Sequence, residues 1–286
     1  MSERLSNWLT QGSFVQLRGH RVFVRQGGAG PALLLIHGFP TSSFDWHAIW
    51  PQLTARFTVI APDMLGMGFS DKPQNHVYGL MEQVDLHEAL LARLRVQSTY
   101  VMAHDLGVSV VQEMLARRIT AKALPKIEKV ILLNGGLCPE AYQPRLIQHI
   151  LSSPVGHLIG PRLPRSAFER SIRSLFGLQT GPSPQLLDDF WELVTHNQGL
   201  AVAHSVGRFY IERLALRDRL VAPLIHPVAP IRFINGLADP NSGQHMANAY
   251  QTLVPDADIV RLQGIGHWPQ IEAPHAVMTH VTEFFR

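Results

Sequence analysis

Cysteine is nearly absent from the sequence, and neither sign of charge dominates it. Cys138 is the single cysteine among 286 residues, so no internal disulfide can form and a reducing compartment is expected. Lys and Arg total 25 against 22 for Asp and Glu, and they form no basic run. This small excess of positive charge argues against a nucleic-acid-binding protein.

Long hydrophobic runs are missing as well. No apolar stretch reaches the roughly 20 residues that a membrane-spanning helix needs. The residues after Met1 lack the apolar core of a signal peptide. We therefore expect a cytoplasmic protein without a membrane span. The length is sufficient for one large α/β domain with a substantial buried core.

Short apolar runs are plentiful, and they alternate with segments of helical spacing. After an alternating hairpin over 14–25, the runs typical of buried strands are 32–36, 58–61, 100–103, 129–133, 231–234 and 257–262. Between 137 and 227 the chain contains helical pieces broken by Pro and Gly instead. The predicted fold class is α/β, with a mostly parallel central sheet, helices on both faces and an inserted helical cap. The predicted division is core 1–136, helical cap 137–227 and core 228–286.

The most informative stretch surrounds Asp105, which separates an apolar run from a segment of helical spacing. Ala103 and Gly107 are the small residues that a tight strand–turn–helix connection requires. This pattern is typical of a nucleophile elbow, with aspartate in place of the usual serine. A carboxylate is a poor nucleophile for acyl transfer, but it can attack saturated carbon and form an alkyl ester. The alternative is that Asp105 only caps the following helix.

Two further reactive side chains follow later strands. Asp239 comes just after the run 231–234, and His267 comes just after 257–262. The carboxyl ends of parallel strands meet at one edge of a sheet, so both residues are expected near Asp105. An acid beside a histidine can hold the imidazole in the orientation of a base. The order nucleophile, acid, histidine therefore predicts a catalytic triad of Asp105, Asp239 and His267.

The segment His37-Gly38-Phe39-Pro40 supplies the remaining part of a hydrolytic site. It follows the strand that is expected beside the elbow, so its backbone can point at the nucleophile. The N–H groups of Phe39 and Leu106 are predicted to form an oxyanion hole during hydrolysis of the ester. The alternative, a loop stiffened by Pro40, is compatible with this role.

With these residues assembled, the chain resembles the α/β-hydrolase superfamily over nearly its whole length. The matching motifs, in order, are HGFPTSSFDW, APDMLGMGFSDKP, AHDLG, GLADP and GIGHWPQIEAP. The aspartate elbow and HGFP resemble the epoxide hydrolases, and HGFPTSS, GFSDKP and NGG resemble an epoxide-hydrolase-like member of the superfamily. The resemblance implies Asp105 as nucleophile, His267 as the base that activates water, and Asp239 as its partner.

Epoxide hydrolases also use cap tyrosines, which donate a proton to the leaving oxygen. Tyr210 matches such a tyrosine, and the alternative is a packing role inside the cap. A second cap tyrosine is not clear, because Phe168 lies near its expected place and Tyr142 is a substitute at the start of the cap. Leu106 departs from the family pattern, since epoxide hydrolases and haloalkane dehalogenases usually carry tryptophan there.

The expected function is hydrolysis of an apolar epoxide to a vicinal diol through a covalent ester on Asp105. One alternative is haloalkane or haloacid dehalogenation, which Leu106 disfavours because its side chain has no N–H to bind a halide. The others are a serine-free esterase or lactonase, and a non-catalytic binding protein on the same scaffold. A small apolar substrate and water are the expected partners, without a metal or organic cofactor. Neither substrate-binding residues nor an oligomeric state are predicted.

Overall fold

An eight-stranded sheet forms the centre of the molecule. The computed structural model describes residues 1–120 and 125–286, so four residues of the predicted first core segment lie outside the described part. Within that part, the strands are β1 (Gly12–Leu17), β2 (His20–Gly27), β3 (Ala32–Ile36), β4 (Thr58–Pro62), β5 (Ser98–His104), β6 (Lys126–Leu133), β7 (Ile231–Gly236) and β8 (Asp258–Leu262).

Helices surround this sheet and fill the long connection between β6 and β7. Those before the connection are α1 (Glu3–Thr10), α2 (Trp50–Thr54), α3 (Leu80–Arg93) and α4 (Leu106–Thr120). Those within it are α5 (Leu146–Ser152), α6 (Gly156–Ile159), α7 (Arg165–Arg173), α8 (Pro184–Thr195), α9 (Gly199–Val206), α10 (Phe209–Ala215) and α11 (Arg217–Ile225). The last are α12 (Gln244–Leu253), α13 (Pro269–Glu272) and α14 (Pro274–Phe284). Residues 137–227, which we call the helical segment, contain no strand.

The sheet is mostly parallel, and β5 lies in its middle. The order of the strands is β1-β2-β4-β3-β5-β6-β7-β8. β2 pairs antiparallel with both β1 and β4, whereas all other neighbouring strands are parallel. The predicted α/β fold with a mostly parallel sheet is therefore confirmed. The carboxyl ends of β3, β5, β6, β7 and β8 share one edge, which we call the catalytic edge.

Both faces of the sheet are covered, which explains why its strands are apolar throughout. Successive side chains of a strand point to opposite faces. In β3, Leu34 and Ile36 accordingly belong to one core cluster, and Leu33 and Leu35 belong to the other. No helix within residues 1–120 and 125–286 is both long enough and apolar enough to cross a membrane.

The helical segment is tied to the sheet by an apolar cluster. Phe168, Ile172 and Phe190 of α7 and α8 are buried together with Trp268, which lies between β8 and α13. The Trp268 ring stacks on Phe176 with its centroid 5.1 Å away. The helical segment therefore packs directly on the loop that follows β8.

Candidate active site

Asp105 occupies a sharp turn between the end of β5 and the start of α4. Its φ of +50° lies in the left-handed region, which a residue with a side chain enters only under local constraint. A Cβ on Gly107 would lie 2.4 Å from the carbonyl oxygen of Ile36, and one on Gly38 would lie 2.4 Å from Asp105 Cβ. The close approach of backbone segments around Asp105 therefore requires glycine at both positions.

The structure brings Asp105, Asp239 and His267 together at the catalytic edge. His267 Nδ1 lies 2.8 Å from Asp239 Oδ2, and His267 Nε2 lies 3.6 Å from Asp105 Oδ2. All three side chains are buried. The imidazole therefore lies between two carboxylates, as a base with an orienting partner requires. The catalytic roles of the three residues stay predictions.

Burial and charge act against each other in the Asp239–His267 pair. Burial raises the pKa of Asp239, but the charge and hydrogen bond of His267 outweigh burial and hold that pKa at about 2. Hydrogen bonds to Asp239 from Ser242 Oγ at 2.7 Å and from the Asn241 N–H at 2.8 Å add to the lowering. Burial lowers the pKa of His267, but the charges of Asp239 and Asp105 raise it to about 9. The two groups therefore form an ion pair near neutral pH.

The two oxygens of the Asp105 carboxylate have different partners. The Phe39 N–H donates to Oδ1 at 2.9 Å, whereas Oδ2 faces the imidazole of His267. Leu106 is the first residue of α4, so its N–H has no acceptor within that helix. Oδ1 thus lies against the predicted oxyanion hole, with Phe39 as an observed donor and Leu106 as a predicted one.

A mostly apolar cavity opens onto Asp105 and His267. The volume in which the centre of a water-sized sphere fits is about 70 Å³. Its apolar lining residues are Phe39, Pro40, Ile147, Leu151, Leu163, Phe168, Ile172, Leu175, Val194, Leu200 and Ala203. The other lining residues are Tyr142, Arg145, Gln148, Ser171 and Asn241. Most of them belong to the helical segment, which therefore sets the size and polarity of the cavity.

The tyrosine at the cavity is not the one expected from the sequence. Tyr142, which follows the turn Pro139–Ala141, lines the cavity, whereas Tyr210 is not among its lining residues. The Tyr210 hydroxyl lies 2.8 Å from Ser152 Oγ and 3.3 Å from His149 Nδ1. Because α10 directs the Tyr210 hydroxyl to α5, the structure favours the alternative of a packing role for Tyr210, and its role as proton donor stays a prediction.

Two amide groups orient the Tyr142 hydroxyl. Gln148 Nε2 donates to the phenolic oxygen at 2.7 Å, and Asn241 Nδ2 donates to it at 3.0 Å. The Arg145 N–H bonds Gln148 Oε1 at 2.8 Å and so fixes that amide. Because the oxygen accepts two bonds, its own proton is left for a ligand in the cavity. Burial and the nearby Asp105 charge raise the pKa of Tyr142, so the hydroxyl keeps this proton.

Three polar residues that sequence reasoning missed support the triad. Asn134 Nδ2 donates to Asp239 Oδ2 at 3.0 Å, next to the bond from Ser242 Oγ. His104 Nε2 lies 2.7 Å from the His267 carbonyl oxygen, and the two imidazole rings are 4.7 Å apart. Asn134 directly follows β6, and His104 ends β5. In the sequence, their position at the carboxyl ends of buried strands could have identified both as neighbours of the triad.

Residues 31–274 match a family model described as alpha/beta hydrolase fold. The chain belongs to this family and is a hydrolase of the α/β-hydrolase fold. LipZ of Mycobacterium tuberculosis is 36% identical over 276 residues, which cover 96% of each chain. Mesoderm-specific transcript protein of Mus musculus is 37% identical over 294 residues, which cover 96% of this chain and 85% of the relative. It is the protein that the motifs HGFPTSS, GFSDKP and NGG resemble, and this likeness is confirmed.

Solved structures with different activities share the fold. Haloalkane dehalogenase DbeA from Bradyrhizobium elkani has a TM-score of 0.78 at 20% identity, covering 96% of both chains. Epoxide hydrolase CorEH has a TM-score of 0.76 at 20% identity, covering 96% of this chain and 98% of that one. At this level of identity the likeness shows the fold alone.

Proposed function

We propose that the protein hydrolyses an apolar epoxide to a vicinal diol through a covalent ester on Asp105. One observation carries this proposal: Asp105 Oδ2, on a strained elbow beside an apolar cavity, lies 3.6 Å from the imidazole of His267. A nucleophilic carboxylate and a base at this distance suit ester formation followed by hydrolysis. We also propose that 137–227 acts as a cap on the core segments 1–136 and 228–286, because it supplies most of the cavity wall.

In the first step, Asp105 Oδ2 attacks a ring carbon of the epoxide, and the bond from that carbon to the ring oxygen breaks. Oδ2 is the attacking atom because Oδ1 is already bonded to the Phe39 N–H. The leaving oxygen takes the proton of the Tyr142 hydroxyl, which water later restores. Tyr142 replaces Tyr210 in this role, since its hydroxyl borders the cavity and its proton is free to be donated.

In the second step, water attacks Asp105 Cγ, and His267 Nε2 takes the proton of that water. Oδ1 becomes the oxyanion and keeps its bond to the Phe39 N–H, with the Leu106 N–H as the second donor. The Asp105 charge is one cause of the raised pKa of His267. Ester formation removes this charge, so the imidazole loses its proton more easily at the stage that needs a base. The Cγ–Oδ2 bond then breaks, His267 Nε2 returns its proton to the departing diol oxygen, and the new carboxylic acid of Asp105 loses its proton to water, which restores the carboxylate.

The cavity favours an oxygen leaving group over a halide. A departing halide is stabilised by N–H donors. The lining residues in the described part of the chain include no tryptophan, the amides of Gln148 and Asn241 already donate to Tyr142, and Arg145 is the remaining N–H donor. The Leu106 side chain is packed in the core and is not among the lining residues. The Tyr142 hydroxyl, in contrast, can transfer a full proton to an alkoxide, which a halide does not require.

Mass spectrometry of a His267→Gln variant tests the proposal. Without its base the variant is expected to keep the ester after brief exposure to a mixture of apolar epoxides and haloalkanes. The expected product is an adduct with the mass of the intact epoxide on the peptide that contains Asp105. An alkyl adduct formed from a haloalkane would establish dehalogenation instead.

Two matched variants control this experiment. His275→Gln removes an exposed histidine of α14 and is expected to turn over epoxide without a lasting adduct. An Asp105→Asn change added to His267→Gln is expected to abolish the adduct. Adducts on other peptides, or no adduct with any reagent, would contradict the mechanism and favour a binding protein on the same scaffold.

A further inference from the structure

We propose that His20, His76 and Glu82 form a zinc site that ties the β1–β2 hairpin to the loop before α3. The three residues come from separate segments, since His20 begins β2, His76 lies between β4 and α3, and Glu82 is in the first turn of α3. One ligand atom from each lies within 4.8 Å of the other two. In residues 1–120 and 125–286, this is the one group of three such ligands.

The geometry of the three side chains suits a single ion. His76 Nε2 lies 2.8 Å from Glu82 Oε2, and His20 Nε2 lies 3.8 Å from Glu82 Oε1. The two imidazole rings are 5.4 Å apart and nearly perpendicular. Tetrahedral ligands about 2.1 Å from zinc are separated by about 3.4 Å, so the observed distances lie on either side of the required one. Movements of the two histidine nitrogens by less than about 1 Å relative to the Glu82 carboxylate would give this separation.

The chemistry of the ligands selects the kind of metal. Two imidazoles and a carboxylate are a known ligand set for Zn²⁺, whereas Ca²⁺ and Mg²⁺ prefer oxygen ligands alone. The side chains are 21 to 27% exposed, which leaves room for water as a fourth ligand. Arg18 lies near His20 in the hairpin turn, and a positive charge there opposes the binding of a cation. The Arg18 guanidinium is 3.4 Å from the Asp85 carboxylate, which partly balances that charge.

The proposed site lies next to the contacts between the sheet and the helical segment. The His76 carbonyl oxygen accepts a bond from Ser205 Oγ of α9 at 3.1 Å. The Leu80 N–H donates to Glu212 Oε2 of α10 at 2.9 Å. A metal bound to His76 and Glu82 therefore restrains the last part of this loop and the first turn of α3, both of which contact the helical segment. We infer that zinc stabilises the folded chain at this point.

Zinc titration of the metal-free full-length protein against a chromophoric chelator tests the proposal. The expected result is one Zn²⁺ per chain, with an affinity that falls at least about tenfold in His20→Asn, His76→Asn and Glu82→Gln. At about 100-fold excess over its Kd, Zn²⁺ is expected to raise Tm by about 5 °C, and Ca²⁺ is expected to leave Tm unchanged. Co²⁺ bound to the wild type is expected to absorb in the visible range, and this band is expected to be lost in the variants.

The variants separate a metal site from a simple hydrogen bond between His76 and Glu82. Glu82→Gln preserves the shape and a hydrogen-bonding oxygen, so its Tm without metal is expected to stay near that of the wild type. His204→Asn is the matched control, because His157 and His204 form another close histidine pair, 6.2 Å apart. An unchanged zinc affinity after loss of His20, His76 or Glu82, or a zinc affinity that falls equally in His204→Asn, would overturn the proposal, as would the absence of saturable binding.

Discussion

At the scale of single residues, the structure gives two neighbouring tyrosines different surroundings. The rings of Tyr142 and Tyr210 are 6.5 Å apart. Only the Tyr142 side chain lines the cavity, and its hydroxyl oxygen is held by two amides. The Tyr210 hydroxyl is paired with Ser152 instead. The same chemical group is therefore available to a substrate at one position and occupied at the other.

Tyr142→Phe is expected to lower kcat for epoxide hydrolysis by about 10²-fold or more, because the leaving oxygen loses its proton donor. Tyr210→Phe, the matched control, is expected to leave kcat nearly unchanged. Steady-state kinetics and the rate of ester formation in a His267→Gln background measure both effects. Equal losses in the two variants would contradict the assignment of Tyr142. A loss confined to Tyr210→Phe would restore the role that the sequence suggested.

At the scale of elements, the elbow depends on how closely α4 approaches β3. Gly107, in the first turn of α4, faces the carbonyl oxygens of Ile36 and His37 across a gap that has no space for a side chain. Both contacts are to backbone, which cannot rotate away as a side chain can. The position of Asp105 at the catalytic edge therefore depends on the absence of a side chain at Gly107.

Gly107→Ala is expected to lower the free energy of unfolding by roughly 2–4 kcal/mol, because the new methyl group would lie 2.4 Å from the Ile36 oxygen. The matched control is Gly181→Ala, whose methyl group would meet nothing within 4 Å. We expect the control to change stability by less than about 0.5 kcal/mol. Urea denaturation measures both variants. Similar stability of Gly107→Ala and the wild type would show that α4 can move away from β3.

At the scale of the whole molecule, the Asp239–His267 pair links loops that meet only in the folded chain. The pKa of His267 is about 9 in the folded state against an ordinary value of 6.5. The stabilisation from its protonated form is therefore fully present below about pH 6.5 and is lost as pH rises through about 9. Asp239, with a pKa of about 2, stays ionised throughout this range.

The stability difference between the wild type and His267→Gln is expected to shrink by roughly 2–3 kcal/mol between about pH 6.5 and pH 9.5. Titrating groups that do not contact His267 are common to both proteins, so their contributions cancel in the difference. Urea denaturation at constant ionic strength measures the free energy of unfolding at each pH. A difference that stays constant over this range would indicate a neutral imidazole in the folded protein and contradict the ion pair.

Much of the fold and of the candidate site could be predicted from the sequence alone. Strands that are buried on both faces are apolar throughout, and a turn as tight as that at Asp105 requires Gly107. The strands and the turn are therefore recognisable from residues that are close together in the chain. The carboxyl ends of parallel strands meet at one edge, and this rule places Asp239 and His267 near Asp105. The sequence by itself therefore determined the fold class and the residues of the proposed triad.

Only the tertiary structure decided which tyrosine borders the cavity. Helical spacing places Tyr210 in a helix, but it does not show which neighbouring element the hydroxyl meets. Tyr142 is oriented by Gln148 and Asn241, the second of which lies 99 positions later in the chain. The histidine and glutamate ligands of the proposed zinc site likewise come from a hairpin turn, a loop and a helix. Such contacts arise from the packing of distant segments, for which no local sequence pattern exists.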